Sequence, residues 1–163
     1  MKIYLFRHAK SARDDFPEDS HDWPIADEGR NRHRAVTRGM KTIGFVYTHA
    51  WVSPLKRARQ TYEVIARELQ SDIPGEKQEA LSPMADLDGL LELLDGLYAE
   101  CPDAGLIIVG HNPQVSALLG LLGGAGTPHM RTSDMAYITW DDYGPKVGSF
   151  HKRESLIALG RND

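Results

Sequence analysis

Cysteine is almost missing from this chain. Cys101 is the only one in 163 residues, which excludes an intrachain disulfide framework, a CxxC redox pair and a cysteine-rich zinc site. An excess of one charge is missing too. Nineteen Lys+Arg against 23 Asp+Glu leave a net charge of −4, so no whole-chain basic field is available to hold nucleic acid or a membrane surface. No apolar run approaches membrane-spanning length, and the N-terminus opens directly into a short strand-like run with no signal-peptide core. Several catalytic signatures are also absent: a Walker A loop, an HExxH pair, a GxSxG elbow, and a GxGxxG after a strand. Cys101 is not followed five residues later by an arginine, which removes the cysteine-based phosphatase loop. The expectation is a soluble, cytoplasmic chain folding as one domain over 1–163. A chain of this size buries roughly 70% of its unfolded surface and needs no metal or disulfide staple.

What is present alternates between strand and helix signals. Lys2 to Phe6 reads as a buried strand stopped at Arg7 and His8. A polar stretch from Lys10 to Asp22, with Asp14 to Asp19 acidic in the main, reads as a solvated loop. Asp27 is the expected N-cap of a helix running to about Thr42. Phe45 to Val52 is a second strand, broken by Ser53-Pro54, and Lys56 to Gln70 repeats its apolar residues at helical spacing. Lys77 to Leu81 is expected as a short edge strand, and Leu87 to Leu97 as the apolar face of a helix ending before Pro102. Leu106 to Val109 is the clearest buried strand. Asn112 and Pro113 are expected to open the next helix, which reaches about Leu122, and Gly120 to Gly126 reads as a loop. Met135 to Trp140 and Lys146 to Lys152 form an expected terminal hairpin around Asp142-Tyr143-Gly144-Pro145. The fold class that follows is α/β: a three-layer sandwich, a mostly parallel mixed sheet with helices on both faces and a C-terminal antiparallel hairpin.

In such a sheet, ligands bind beyond the carboxyl ends of the strands. Arg7 and His8 follow the first strand, Ser53-Pro54 and then Arg57 the second, and His111 and Asn112 the central one. Two histidines and two arginines therefore converge on one crevice. Two guanidinium groups offer about ten N–H donors in a fork geometry suited to a tetrahedral oxyanion. A helix opening near Asn112 adds free backbone N–H groups. Arg57 on the first turn of its helix opposes the helix dipole, which suggests that it answers to an anion. A neutral histidine there can act as a nucleophile toward a phosphoryl group, and arginines can supply the charge that a metal otherwise would. His21, His33, His49, His129 and His151 have no partner spacing and read as surface or structural. Arg30, Arg32, Arg34 and Arg38 read as a solvated helix face, with a docking surface for an acidic partner as the other reading.

Arg7-His8 closing the first strand resembles the RHG signature of the histidine phosphatase (phosphoglycerate-mutase-like) superfamily. Ser53-Pro54-Leu55-Lys56-Arg57-Ala58-Arg59-Gln60-Thr61 is similar to its S-x-L-x-R-A-x-Q-T stretch, and Val109-Gly110-His111-Asn112-Pro113 to its second histidine motif. The three blocks stand in the family order over residues 1 to about 120. The short chain, the Arg-His-Ala-Lys-Ser form and Leu81-Ser82-Pro83 resemble the SixA-type phosphohistidine phosphatase branch. The resemblance implies His8 as the nucleophile, Arg7 and Arg57 as clamps on the phosphoryl oxygens, and His111 as the fourth catalytic member. Asn112 is a candidate for substrate contact or for a helix cap, with the cap favoured. Ala9 replaces the usual glycine. Trp23-Pro24-Ile25 stands where Arg-Pro-Leu is common, so an auxiliary phosphate-binding arginine is not in that place.

The resemblance implies no metal and no cofactor, a phosphorylated substrate such as a phosphohistidine-bearing protein, and a monomer or weak dimer. No proton donor occupies an unmistakable motif; Glu79, Asp86 and Asp88 are candidates by position. An alkoxide leaving group needs general-acid help worth about 10²–10⁴-fold. An imidazole, whose pKa is about 6.5 when unperturbed, leaves readily once protonated from solvent. Phosphohistidine therefore suits this sequence better than a small phosphomonoester hydrolysed with one of those acids. A non-catalytic phosphate-binding module is the third reading.

Overall fold

The computed structural model describes residues 1–15, 22–123 and 129–161. Most of the acidic stretch Asp14 to Asp19, His21 and the second half of the glycine cluster 120–126 lie outside the described residues. One six-stranded sheet runs in the order β3-β2-β4-β1-β5-β6. Its strands are β1 Lys2–Arg7, β2 His49–Val52, β3 Glu76–Lys77, β4 Gly105–Gly110, β5 Met135–Asp141 and β6 Gly144–His151. The first four strands in that order are parallel; β5 runs antiparallel to β1, and β6 antiparallel to β5. The expected mixed sheet with a terminal hairpin is the one observed.

The period-two alternation of β1 and β4 divides the core. Ile3, Leu5, Leu106 and Ile108 point into one apolar cluster, under α3 (Asp88–Glu100) and α4 (Gln114–Gly123). Tyr4, Phe6, Ile107 and Val109 point into the other, under α1 (Asp27–Thr42), α2 (Lys56–Leu69) and α5 (Arg153–Leu159). Both central strands are covered on two faces, which is why they read as unbroken apolar runs rather than as alternating ones.

Five local expectations need correction. Asp27 is the first helical residue of α1, and Ala26 is its N-cap without a side-chain cap bond; the carboxylates of Asp27 and Glu28 still sit favourably at the dipole's positive end. The second strand is only four residues long, because its partner β4 begins at Gly105, whose carbonyl takes the Thr48 N–H at 2.8 Å. Phe45 instead packs against Tyr4, with ring centroids 4.1 Å apart and the rings tilted by 56°. The expected edge strand from Lys77 to Leu81 becomes β3 followed by a 3-10 turn, Glu79–Leu81, that buries Leu81 in the core. Gly120 and Gly123 are helical, in the last turns of α4. Finally, α5 follows the hairpin where no element was expected. The buried Asp134 accepts the Arg153 N–H at 2.9 Å and so starts that helix from outside it.

The arginine face of α1 is largely paired within the molecule. Arg32 bonds Glu28, and Arg34 and Arg38 reach Glu68 of α2 at 3.6 and 3.3 Å. Among the described residues no helix is long and apolar enough to cross a membrane.

Candidate active site

The parallel register brings three strand ends into line. Arg7 of β1 pairs with Gly110 of β4, and Val109 with Val52 of β2. The ladder continues one residue past the strands, with His8 N–H to the Gly110 carbonyl at 3.0 Å and Ser53 N–H to the Val109 carbonyl at 3.0 Å. His8, Ser53 and His111 are thus fixed side by side at the carboxyl edge of the sheet, all buried. The rings of His8 and His111 are 4.9 Å apart.

The tautomer of His8 follows from its partner. Its Nδ1 lies 2.7 Å from the Ala9 carbonyl oxygen, and a carbonyl only accepts, so Nδ1 carries the proton and Nε2 keeps its lone pair. The His8 pKa is lowered to about 4, by burial first and then by the charges of Arg57 and Arg7, against the opposing Ala9 bond. The imidazole is therefore neutral at physiological pH.

His111 is fixed in the same way. Its Nε2 is 2.7 Å from Ser53 Oγ, and Ser53 Oγ also receives the Leu55 N–H at 3.3 Å. Ser53 is fully buried, and Nε2 is the acceptor within reach of its hydroxyl proton. The hydroxyl then donates to Nε2, and the His111 proton resides on Nδ1. That Nδ1 is buried with no hydrogen-bond partner among the described residues. Burial, followed by the charges of His8, Arg57 and Arg7, lowers the His111 pKa to about 2.

Both arginines are anchored. Arg7 donates from Nη1 to the Met130 carbonyl at 2.9 Å, while its Nε is buried without a partner among the described residues. Arg57 lies in the first turn of α2, is 8% exposed and has its guanidinium 5.4 Å from the Trp23 ring centroid. Burial lowers both arginine pKa values, opposed by Asp134 at Arg7 and by Asp22 at Arg57, yet a guanidinium stays charged in any protein setting. The backbone behind His8 is bolted to α2: Thr61 Oγ1 accepts the Ala9 N–H at 2.9 Å and donates to the Arg57 carbonyl at 2.6 Å. Gln60 Oε1 accepts the Ile25 N–H at 2.8 Å.

Asn112 does not cap α4, which begins at Gln114. Its amide donates to the Met130 carbonyl at 2.7 Å and its Oδ1 accepts from Ser116 Oγ at 2.8 Å. Met130 is therefore a shared anchor for Arg7 and Asn112. The three acids are bonded or placed locally within their own segment, which Gln114 holds through the Ala80 and Ala85 carbonyls. Glu79 accepts from Ser82 Oγ at 3.3 Å, Asp86 from the Gly89 N–H at 3.3 Å, and Asp88 opens α3; all three are exposed. Among the described residues, no carboxylate is one of the groups that shift His8 or His111. Sequence reasoning gave no role to Ser53, Thr61, Met130 or Asp134. Ser53 and Thr61 stood inside a recognised motif, whereas Met130 acts through its carbonyl and left no side-chain signal.

The model of the histidine phosphatase superfamily (branch 1) matches residues 3–90. The chain belongs to that superfamily. It is 35% identical over 116 residues to an uncharacterised protein of Picosynechococcus sp. (strain ATCC 27264 / PCC 7002 / PR-6), covering 71% of this chain and 68% of that one. It is 28% identical over 145 residues to phosphohistidine phosphatase SixA of Escherichia coli strain K12, covering 88% of each. The structure of the protein histidine phosphatase SixA complexed with tungstate matches the fold with a TM-score of 0.86 at 24% identity, covering 96% of this chain and 99% of that one. By family the chain is a histidine phosphatase, and that family binds phosphorylated substrates.

Proposed function

We propose that this phosphatase removes phosphate from phosphohistidine on a protein, through a phosphoryl intermediate on His8. The observation that carries the reading is the pinned ring of His8. Its Nδ1 proton is held by Ala9, its Nε2 accepts no hydrogen bond from a described residue, and two buried donors without a partner among the described residues, Arg7 Nε and His111 Nδ1, stand in the same cluster. A phosphoryl oxygen satisfies both donors and offsets the charge of Arg7 and Arg57. In the first step His8 Nε2 forms a bond to phosphorus and the bond from phosphorus to the substrate imidazole breaks, that imidazole leaving with a proton from solvent. In the second step water attacks phosphorus, the bond to His8 breaks, and phosphate departs as the water releases its proton. Arginines and His111 supply the electrostatic stabilisation, so the reading needs no metal.

The exposed positions of Glu79, Asp86 and Asp88 support phosphohistidine over alkyl phosphates, since among the described residues no acid is one of the groups that shift His8. The test is phosphate release in EDTA from a phosphohistidine protein and from a panel of alkyl phosphomonoesters. Phosphohistidine turnover that His8→Ala reduces to background is expected, with Glu79→Gln, Asp86→Asn and Asp88→Asn each within about threefold of wild type. Alkyl-ester turnover lost in one of the acid variants would instead establish the phosphomonoesterase reading. Phosphate binding without turnover of any substrate would defeat both.

A further inference from the structure

Trp23 carries two cations on one ring. The guanidinium carbon of Arg57 is 5.4 Å from the indole centroid and that of Arg13 is 5.2 Å away, so the two lie within roughly 11 Å of each other, each at cation–π distance. They differ in setting. Arg57 is almost wholly buried among the groups that shift His8, whereas Arg13 is exposed. Arg13 forms no ion pair with a described residue, although Asp15 and Asp22 are near it in sequence.

Arg13 is not on a loose tether. Ser11 and Ile25 form an antiparallel bridge, and the Ala12 N–H bonds the Pro24 carbonyl at 2.9 Å. Asp15 N–H bonds back to the Ala12 carbonyl at 3.1 Å, closing a 3-10 turn over Arg13–Asp15. The Trp23 segment is held against α2 on its other side, by Lys56 N–H to Asp22 Oδ1 and Ile25 N–H to Gln60. Arg13 and Trp23 therefore sit on two short segments fastened to each other and to the helix that bears Arg57. A guanidinium against an indole face uses its π surface and leaves its in-plane N–H donors free for an anion.

We propose that Arg13, positioned by Trp23, forms a second anion subsite at the rim of the phosphoryl pocket, taking a carboxylate that the substrate carries beside its phosphoryl group. On a protein substrate this is an Asp or Glu flanking the phosphohistidine; that identification rests on the function proposed above. Arg57 faces the transferred group and Arg13 reads what lies next to it. Arg13 thereby contributes specificity, and Trp23 is a positioning residue for it.

Two measurements test this, one independent of turnover. Titration calorimetry at low salt compares 3-phosphonopropionate, a phosphonate that also carries a carboxylate, with propylphosphonate, which lacks it. The wild type is expected to prefer the first by roughly tenfold, and Arg13→Gln to lose that preference while its affinity for propylphosphonate is unchanged. In the second measurement, phosphohistidine peptides with Glu or Ala beside the phosphorylated residue are turned over by both proteins. Arg13→Gln is expected to raise KM about tenfold for the acidic peptide alone, with kcat within about twofold. Thermal unfolding of the variant confirms an intact fold. Absence of a preference in wild type, or its survival in Arg13→Gln, overturns the subsite. Failure of phosphohistidine turnover with the calorimetric preference intact overturns the substrate reading and leaves the subsite standing.

Discussion

The Nδ1 of His33 on α1 lies 3.1 Å from the hydroxyl oxygen of Ser133, one hundred residues later in the chain. His33 is fully enclosed, edge-on to Phe6 at 5.9 Å, and Ser133 is held at φ 67° with its N–H bonded to the Arg7 carbonyl at 3.0 Å. The pair therefore braces the backbone of the arginine that precedes His8. A left-handed serine is uncommon and persists where its surroundings hold it.

Replacing His33 by Leu strands the buried Ser133 hydroxyl. The expected loss is about 1–3 kcal/mol of stability, read as a lower urea midpoint at unchanged slope. His33→Asn restores a polar group near the Nδ1 position and is expected to recover part of that loss. Equal midpoints for Leu and wild type would remove the brace.

Three buried histidines are neutral in the folded protein: His8, His33 and His111, with pKa values lowered to about 4, 3 and 2, burial being the first cause in each. In the unfolded chain each titrates near its ordinary value of about 6.5. Between those values the unfolded state binds more protons, so stability rises with pH through this window and is lost as pH falls. The melting temperature is expected to be level above about pH 6.5 and to fall steadily toward pH 4. By the same shift, the acid limb of kcat/KM due to His8 is expected near pH 4 instead of near 6.5. A melting temperature constant from pH 6.5 to 5 would contradict neutral burial.

Ser53→Ala removes the donor that fixes the His111 tautomer. His111 Nε2 is then left unpaired in the interior and the Nδ1–H loses its enforced place. A loss of roughly 10- to 100-fold in kcat/KM is expected, corresponding to about 1–3 kcal/mol for an orphaned buried group. Ser53→Thr, which keeps the hydroxyl, is expected to retain more activity. Full activity of the alanine variant would show that the tautomer is set elsewhere.

Helices α1 and α5 meet through glycine. A Cβ at Gly39 would lie 1.8 Å from the Leu156 carbonyl oxygen, and one at Gly160 would lie 2.7 Å from the Gly39 nitrogen. Neither obstacle is a side chain that can swing away. Gly39→Ala is expected to cost about 1–3 kcal/mol or more, measured by thermal or urea unfolding, while Gly89→Ala, which meets nothing nearby, serves as the tolerant control.

The residues proposed to bear the chemistry were readable because each stands beside the end of a strand. Arg7-His8 and His111 end apolar runs, and Arg57 opens a helix, so topology alone placed them together. The supports were not readable. Met130 acts through a carbonyl, Ser133 through a φ angle, and His33 through a contact a hundred residues away. None of these has a local periodicity. Seven-residue α5 was missed because its start is supplied by Asp134 from another element and its packing by the glycine at position 39. Trp23 read as a lost arginine, whereas in space it carries Arg13 and Arg57.

The position of β1 in the sheet has a consequence for the order of assembly. Its one edge pairs with β4 and its other with β5, so the strand that ends in Arg7 has an unpaired edge until residues 135–141 have been made. Closure of that edge joins segments more than a hundred residues apart, the kind of contact that forms late and slowly. Met130, which anchors Arg7 and Asn112, precedes the same late hairpin. A nascent chain on the ribosome can therefore expose His8 early, but the Arg7 and Asn112 side chains are anchored only when the hairpin docks.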